Sequence, residues 1–519
     1  MSEGDLNQNK RVQLEIRVKN YRCFGGHSPS GFKLKRGITG FIGENNSGKS
    51  TMLRLFYDLR SLFQEASRRL RTFHPNDDLR FSLPSLPDNI DRDRFFHLHN
   101  PDPLVIEITS GGCELHLICG RDGQIRWNCG MKRRKNSHMV RDLEKLTRMF
   151  YIGPFRPFQT QGASGKSYDV LFGKDFFGRC IEDFRKGRFE KGSIYDRVNE
   201  DVATIFHLDG FSFEPGPNGR YGFRINREWM PASELASGLG QCFLIFVQAI
   251  WNKPSFILID EPEAHLHPTV QSEFLTMLTG YAQYGLLAST HHLGLAQSVS
   301  DHLYKVSRKH GQRESVIEVY EPDKRLSQTL GEMQVSVQKN NGGQRLLLVE
   351  GPTEIKAIRQ LLRKIRRNHS VVLMPLGGSS MINGNREDEL REVKKICEEV
   401  FALVDSEKTS ERARVSHHHR SFRESCQRVG IYCHILKRRA LENYFSDRAV
   451  RKVLGPKQRA PRPYEDIKEV DSRWPKSENW KIIREMRRDE IDRTDLWDFL
   501  ERIIKKSETS PRRRSRARN

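Results

Sequence analysis

The sequence predicts an α/β protein of more than one domain, and three observations carry that expectation. Twice along the chain, at 37–66 and again at 345–405, a short apolar strand ends in phosphate- or metal-binding residue types and leads into helical periodicity. A polar stretch with paired glycines, MQVSVQKNNGGQ (333–344), separates the two. At 519 residues the chain also exceeds what one hydrophobic core organises, so two or three domains are expected.

Bulk properties narrow the function classes. Hydrophobic content of 36% and charged content of 30% suit a globular protein rather than a disordered one. The longest apolar run, CFLIFVQAIW (242–251), is too short to span a bilayer, and MSEGDLNQNK lacks the features of a signal peptide, so no membrane partner is expected. Nine cysteines without a C-x-x-C pair read as free thiols in a reducing cytoplasm. The net charge of +22 favours a polyanionic partner such as DNA; the alternative is a basic but functionally neutral surface. Clusters at 132–135, at Arg363–Lys364 with Arg366–Arg367, and in the tail SPRRRSRARN are candidate phosphate contacts, though each one singly reads as a solvated face.

In order along the chain, VQLEIRVKNYRCF (12–24) alternates as an edge strand would, and GITGFIG (37–43) is a buried strand running into a Gly-rich loop and a helix at 51–66. Residues 67–148 read as an insertion or a second sheet, with strands at 104–108 and 113–119; a strand at 149–158 ends in a Pro-rich turn. The segment 165–207 is helical and a candidate dimerisation element. A helix from Ser237, a strand at 256–259, a helix from Pro268 and a strand at 286–290 complete a first domain over 1–335. Strand 345–349, helix 353–366, strand 371–375, helix 387–399 and strand 400–404 form a second α/β unit over 340–450, with a helical, basic region at 451–519.

The loop GENNSGKS fits G-x-x-x-x-G-K-[ST] from Gly43 to Ser50. Gly43 and Gly48 let backbone N–H groups approach phosphates, Lys49 reaches the β- and γ-phosphates, and Ser50 ligates Mg²⁺; Asn45, Asn46 and Thr51 belong to the same ATP-binding set. FILIDE (256–261) ends in Asp260, placed for the magnesium shell, and Glu261, placed as general base toward water. Ser237 and Gly238 open an apolar helix whose N-terminus is an anion site. His291 follows a strand at the spacing of a γ-phosphate contact; Glu263, His265 and His267 read as shaping the turn after Glu261. Gln159 and Gln161 are weak candidates for a glutamine loop.

The second constellation is acidic. Glu350 ends an apolar strand with Glu354 in the next helical turn, and Asp405 ends another strand with Glu407 two residues on. Carboxylates at neighbouring carboxyl ends of a parallel sheet converge in the crevice where such folds place their sites. They repel unless Mg²⁺ or Mn²⁺ neutralises them, and two such ions can activate water against a phosphodiester. The triplet His417–His418–His419 reads as an exposed loop, because consecutive histidines point apart.

The phosphate loop, the S-G-x-G-Q signature, IDEPEAHLHP and T-H together resemble an ABC-type ATPase head of the recombination and chromosome-structure class. That resemblance implies a mixed sheet with a helical subdomain and a head-to-head homodimer, or higher oligomer, in which one subunit's signature completes its partner's nucleotide site. E-G-x-x-E followed by D-x-E is similar to the Toprim domain, a Rossmann-like fold of topoisomerases, primases and certain nucleases, although that family usually has D-x-D. LGG (376–378) falls at its glycine turn, and KRRALENYF (437–445) resembles its last stretch, nominating Glu442 as a metal ligand and Lys437 as a charge stabiliser; Glu442 reads equally as a helix-start residue. The pairing resembles the OLD family of ATP-dependent nucleases. It implies an ATP-controlled, metal-dependent DNA endonuclease of bacterial anti-phage systems, with a retron reverse transcriptase and its DNA as partners by association. The rival readings are a nuclease for RNA or tRNA and a non-cleaving, ATP-gated nucleic-acid clamp or sensor.

Overall fold

The structure, a computed structural model, describes residues 13–26, 29–72, 80–82, 95–97, 101–129, 136–154, 165–190, 192–264, 266–308, 314–320, 345–365, 371–376, 387–397 and 399–505. Expectations placed on 132–135, Gln159, Gln161, His265, 333–344, Arg366, Arg367, Gly377, Gly378 and the basic tail lie outside the described residues. The chain divides into two compact units, Met1–Ala296 with Ser300–Glu321, and Pro322–Asn519 with Gln297–Val299.

In the first unit a six-stranded sheet runs, in spatial order, Ser315–Val319, His302–Arg308, Gly37–Ile42, Gly285–Thr290, Phe256–Asp260 and Phe150–Ile152. All neighbours pair parallel except the first two strands. Strands 37–42, 256–260 and 285–290 are buried at every residue, as parallel strands covered on both faces must be. That burial explains their continuous apolar runs. It also aligns three carboxyl ends beside the Gly-rich loop and the helix Lys49–Asp58 that follows it.

A second six-stranded sheet is antiparallel, in the order Ser30–Lys35, Gln13–Lys19, Leu104–Ser110, Cys113–Cys119, Gln124–Cys129 and Arg80–Ser82. One expectation changes here: the strand at 13–19 pairs on both sides and is not an edge. Of the two readings of the region that follows, the strands at 104–110 and 113–119 take the second sheet, one that the N-terminal strands begin. The reason is the shared inward face: Leu14, Ile16, Val18, Ile106, Ile108, Leu115 and Leu117 enter one core with Phe56 and Phe63.

Helices Gly173–Arg185 and Ile194–Phe206 and a three-stranded sheet (Phe211–Pro215, Tyr221–Ile225, Glu228–Pro231) lead into the helix Ser237–Asn252. Phe176, Phe211, Phe213 and Phe223 all pack on Phe243 of that helix, with ring centroids 5.0–6.1 Å apart. They fix its N-terminus from behind.

The second unit holds a four-stranded, wholly parallel sheet ordered Val371–Pro375, Arg345–Val349, Val400–Val404, Tyr432–Ile435. The helices after residue 450 are not a separate appendage. Ile482, Ile483, Leu496, Leu500 and Ile503 share one core with Leu347, Val349 and Leu403. Arg345, almost wholly buried, donates to the carbonyls of Ile503 and Ile504 and pairs with Glu399, tying the first strand to the last helix (Asp495–Lys505). Lys364 donates to the Arg484 carbonyl at 3.1 Å, so this member of a basic cluster turns toward the fold rather than out to solvent. Among the described residues no helix is long and apolar enough to cross a membrane.

Candidate functional site

Two sites take shape, one in each unit. In the first, the backbone demands glycine at Gly43 and Gly48. Gly43 has φ +156° and a Cβ there would lie 2.1 Å from the Val306 carbonyl, while Gly48 has φ +109° at the helix N-terminus. Asn45 and Asn46 stand exposed at the crest of the loop, and Thr51 is half-buried in the first helical turn. Lys49 is buried, and its Nζ donates to the carbonyls of Gly43 (2.9 Å) and Glu44 (2.8 Å), spanning the loop. Burial pulls the Lys49 ammonium down from its ordinary range, against the opposing pull of Asp260, Glu261 and Glu263.

Ser50 Oγ donates to Asp260 Oδ1 at 3.0 Å, and Ser289 Oγ donates to the same oxygen. Glu261 turns sharply out of the strand with φ +47°, its N–H bonded to the Ser289 carbonyl at 3.0 Å. Ser237, exposed, is the first residue of its helix and Gly238 the second, with no side-chain cap on the first turn. The turn-shaping part expected of Glu263 is incomplete. Its carboxylate accepts from Thr290 Oγ1 at 2.7 Å and lies 3.1 Å from His291 Nδ1, reaching across to the next strand end. The loop therefore offers backbone N–H groups and a lysine to phosphates, and the Ser50–Asp260 oxygens are the hard donors that suit Mg²⁺.

In the second unit Glu350 and Asp405 sit at the carboxyl ends of adjacent parallel strands, and Glu354 lies in the first turn of the helix Pro352–Lys364. The Asp405 N–H donates to Glu350 Oε1 at 2.9 Å, and Thr353 Oγ1 to Glu354 Oε2 at 3.0 Å. Leu441 N–H donates to Asp405 Oδ1 at 3.2 Å, bringing the short helix Leu441–Tyr444 and Glu442 alongside. Glu442, 2% exposed, accepts from Asn479 Nδ2 at 2.9 Å and lies 3.4 Å from Lys476 Nζ. Glu350, Glu354 and Asp405 line a cleft of about 10 Å³ with Val349, Ile358, Leu403, Leu436 and Leu441, room for about one water or bare cation.

The electrostatics record the crowding. Burial holds the Asp405 carboxyl well above its usual range, and Glu350, Glu442 and Glu354 push it further; Lys476 pulls the other way. Burial likewise raises Glu354, with Glu442 and Glu350 adding to it against Lys476. Burial would lower Lys476, yet Glu442, Glu354 and Asp405 outweigh it and push the ammonium up to about 12. Carboxylates in such excess over cations could hold a hard divalent metal.

Three sequence expectations need correction. Glu407 does not join the cluster: its side chain is 49% exposed, in the left-handed region, and paired with Arg439 at 3.2 Å. Lys437 is exposed, and its described bond is a backbone N–H to Asp495 at 2.9 Å; the cation that acts on the acids is Lys476. The His triplet opens the helix His417–Arg428 instead of a loop, and His419, only 12% exposed, faces Glu350 at 3.8 Å. Lys476 and Asn479 escaped the sequence reading, and His419 entered it only as part of an exposed loop. The one local hint is WPKSENW (474–480), whose Trp474 donates to Asn479 Oδ1 at 2.9 Å and so positions the donor to Glu442.

Residues 220–296, which carry Ser237, Asp260, Glu261 and His291, match the family model described as "AAA domain, putative AbiEii toxin, Type IV TA system". No curated protein matches the chain. Among solved structures the chain is similar to the SMC head domain from Thermotoga maritima, at 15% identity and a TM-score of 0.34, over 60% of this chain and all of that one. An SmcHead bound to the C-winged helix domain of ScpA matches at 14% identity and TM-score 0.38, over 60% of this chain and 98% of the other. An Smc head with an extended coiled coil, bound to the C-terminal domain of ScpA derived from Pyrococcus furiosus, matches at 12% identity and TM-score 0.36, over 62% and 100%. These are weak likenesses.

Proposed function

We propose that the chain is an ATP-regulated, divalent-metal-dependent endonuclease acting on DNA, an effector of anti-phage defence. One observation carries the reading: Glu350, Glu354 and Asp405 line one cleft, the charge of Glu442 bears on two of them, and Lys476 opposes the excess. Such an arrangement opposes its own charge and suits Mg²⁺ or Mn²⁺ held by those carboxylates. A cation bound there neutralises phosphodiester charge and lowers the pKa of water. The chain's own residues do the rest. The acids release protons on taking up the cation, Lys476 keeps a positive charge beside Glu442, and His419 holds a ring nitrogen beside Glu350.

In the first unit, Lys49 and the loop N–H groups would hold the nucleotide phosphates, Ser50 and Asp260 its Mg²⁺, with Glu261 as general base and His291 as γ-phosphate contact. The exposed N-terminus at Ser237 suits docking on a second copy of the head, so ATP binding would join two heads and govern access to the acids. The matched family model, with its toxin description, fits an effector role.

The test is digestion of plasmid DNA and of RNA by the full chain with Mg²⁺ or Mn²⁺, beside Asp405→Ala and Glu350→Ala. Cleavage of DNA that both variants lose supports the reading. Cleavage confined to RNA, or retained by the variants, overturns it. No cleavage with any metal, together with a DNA complex trapped by Glu261→Gln, makes the protein a clamp instead.

A further inference from the structure

We propose that Glu263, His291 and His292 form a binding site for a transition-metal dication of the zinc class, separate from the Mg²⁺ that Ser50 and Asp260 suit. One carboxylate oxygen and one nitrogen from each ring lie within 4.8 Å of one another. Glu263 is the anchor: its side chain is 7% exposed, and its Oε2 is buried without a hydrogen-bond partner. A buried carboxylate oxygen left unpaired is costly unless a cation or donor comes to it.

The surroundings already hold the carboxylate in place. Thr290 Oγ1 donates to Glu263 Oε1 at 2.7 Å and accepts from the His292 N–H at 2.9 Å, so one hydroxyl fixes the acid and the backbone of a neighbouring ligand. The rings of His291 and His292 stand with centroids 4.5 Å apart and are exposed, free to close on an ion. Ligand atoms around zinc at about 2.0–2.1 Å lie roughly 3.3 Å from one another, so closure asks three donors already within 4.8 Å to draw in by a small amount. Two imidazoles and a carboxylate select zinc-class ions over Mg²⁺, which prefers all-oxygen shells.

Co²⁺ is the probe, read by its visible absorption and by equilibrium dialysis in excess Mg²⁺. The full chain carrying Glu350→Ala and Asp405→Ala serves as background, so binding at the other acids is not counted and no cleavage is needed for the readout. The background should bind one Co²⁺ per chain that Mg²⁺ does not displace. Adding His292→Ala, at a surface residue, or Glu263→Gln should weaken binding on the order of 100-fold, and Thr290→Val roughly 10–100-fold. A background that takes up no Co²⁺, or a His292→Ala chain that binds as tightly as the background, overturns the proposal.

Discussion

Two buried aspartates, one in each unit, show what separates a matched charge from a crowded one. Asp58 is 0% exposed and matched: Arg22 lies at 2.7 Å, Arg54 at 3.7 Å, and Tyr21 donates at 3.2 Å. Asp405, 8% exposed, meets the like charges of Glu350, Glu442 and Glu354 instead, with Lys476 opposing them. The first arrangement answers its desolvation with opposite charge; in the second, like charges add to it. The two lysines repeat the contrast. Burial wins at Lys49, whose ammonium is pulled down within a phosphate loop, while carboxylates win at Lys476 and push it up.

The contrast breaks most plainly at the lysines. Lys49→Ala should lower ATP hydrolysis roughly 100–1000-fold, since it removes a donor to developing phosphate charge; steady-state phosphate release checks this, and near-normal turnover would remove the loop from the chemistry. At the aspartates the signs should oppose. Asp58→Asn leaves two arginines uncompensated and should cost about 3 kcal/mol in denaturant unfolding, with or without metal.

Asp405→Asn should do the reverse in chelator. Raised in the fold, the Asp405 and Glu354 carboxyls favour the folded state below the ordinary carboxylate range, and that contribution is lost as pH rises through their raised values. At pH 8 without metal, Asp405→Asn should therefore melt a few degrees higher than the parent, with the gap closing toward pH 4. Equal melting curves across that range would place Asp405 with Asp58 as a matched charge. The smallest effect is expected at Lys476→Met. Lys476 is half exposed, so solvent screens its pairing, and the loss in chelator should be roughly 1 kcal/mol, offset by added Mg²⁺ in the same melting assay.

Much of this was legible because it is local. The phosphate loop occupies eight consecutive residues, and its glycine requirement follows from backbone angles at Gly43 and Gly48. Glu350, Asp405 and Asp260 were readable because each ends a buried apolar strand, and parallel strands deliver their carboxyl ends to one edge. Glu407 and Lys437 misled for the same reason in reverse. Two residues past a strand end the chain has already turned, and which way it turns depends on Arg439 and Asp495, 32 and 58 residues away.

The sequence alone thus determined which residue types stand at the strand ends and turns, since a strand end, a glycine turn and a helix start are set by neighbours within a few residues. Only the tertiary structure decided which charges meet. Lys476 joins the acids because the helices after residue 450 share a core with the sheet, and Glu263 faces His291 because two parallel strands end side by side. Electrostatic partners across such separations are chosen by packing, which no local pattern records.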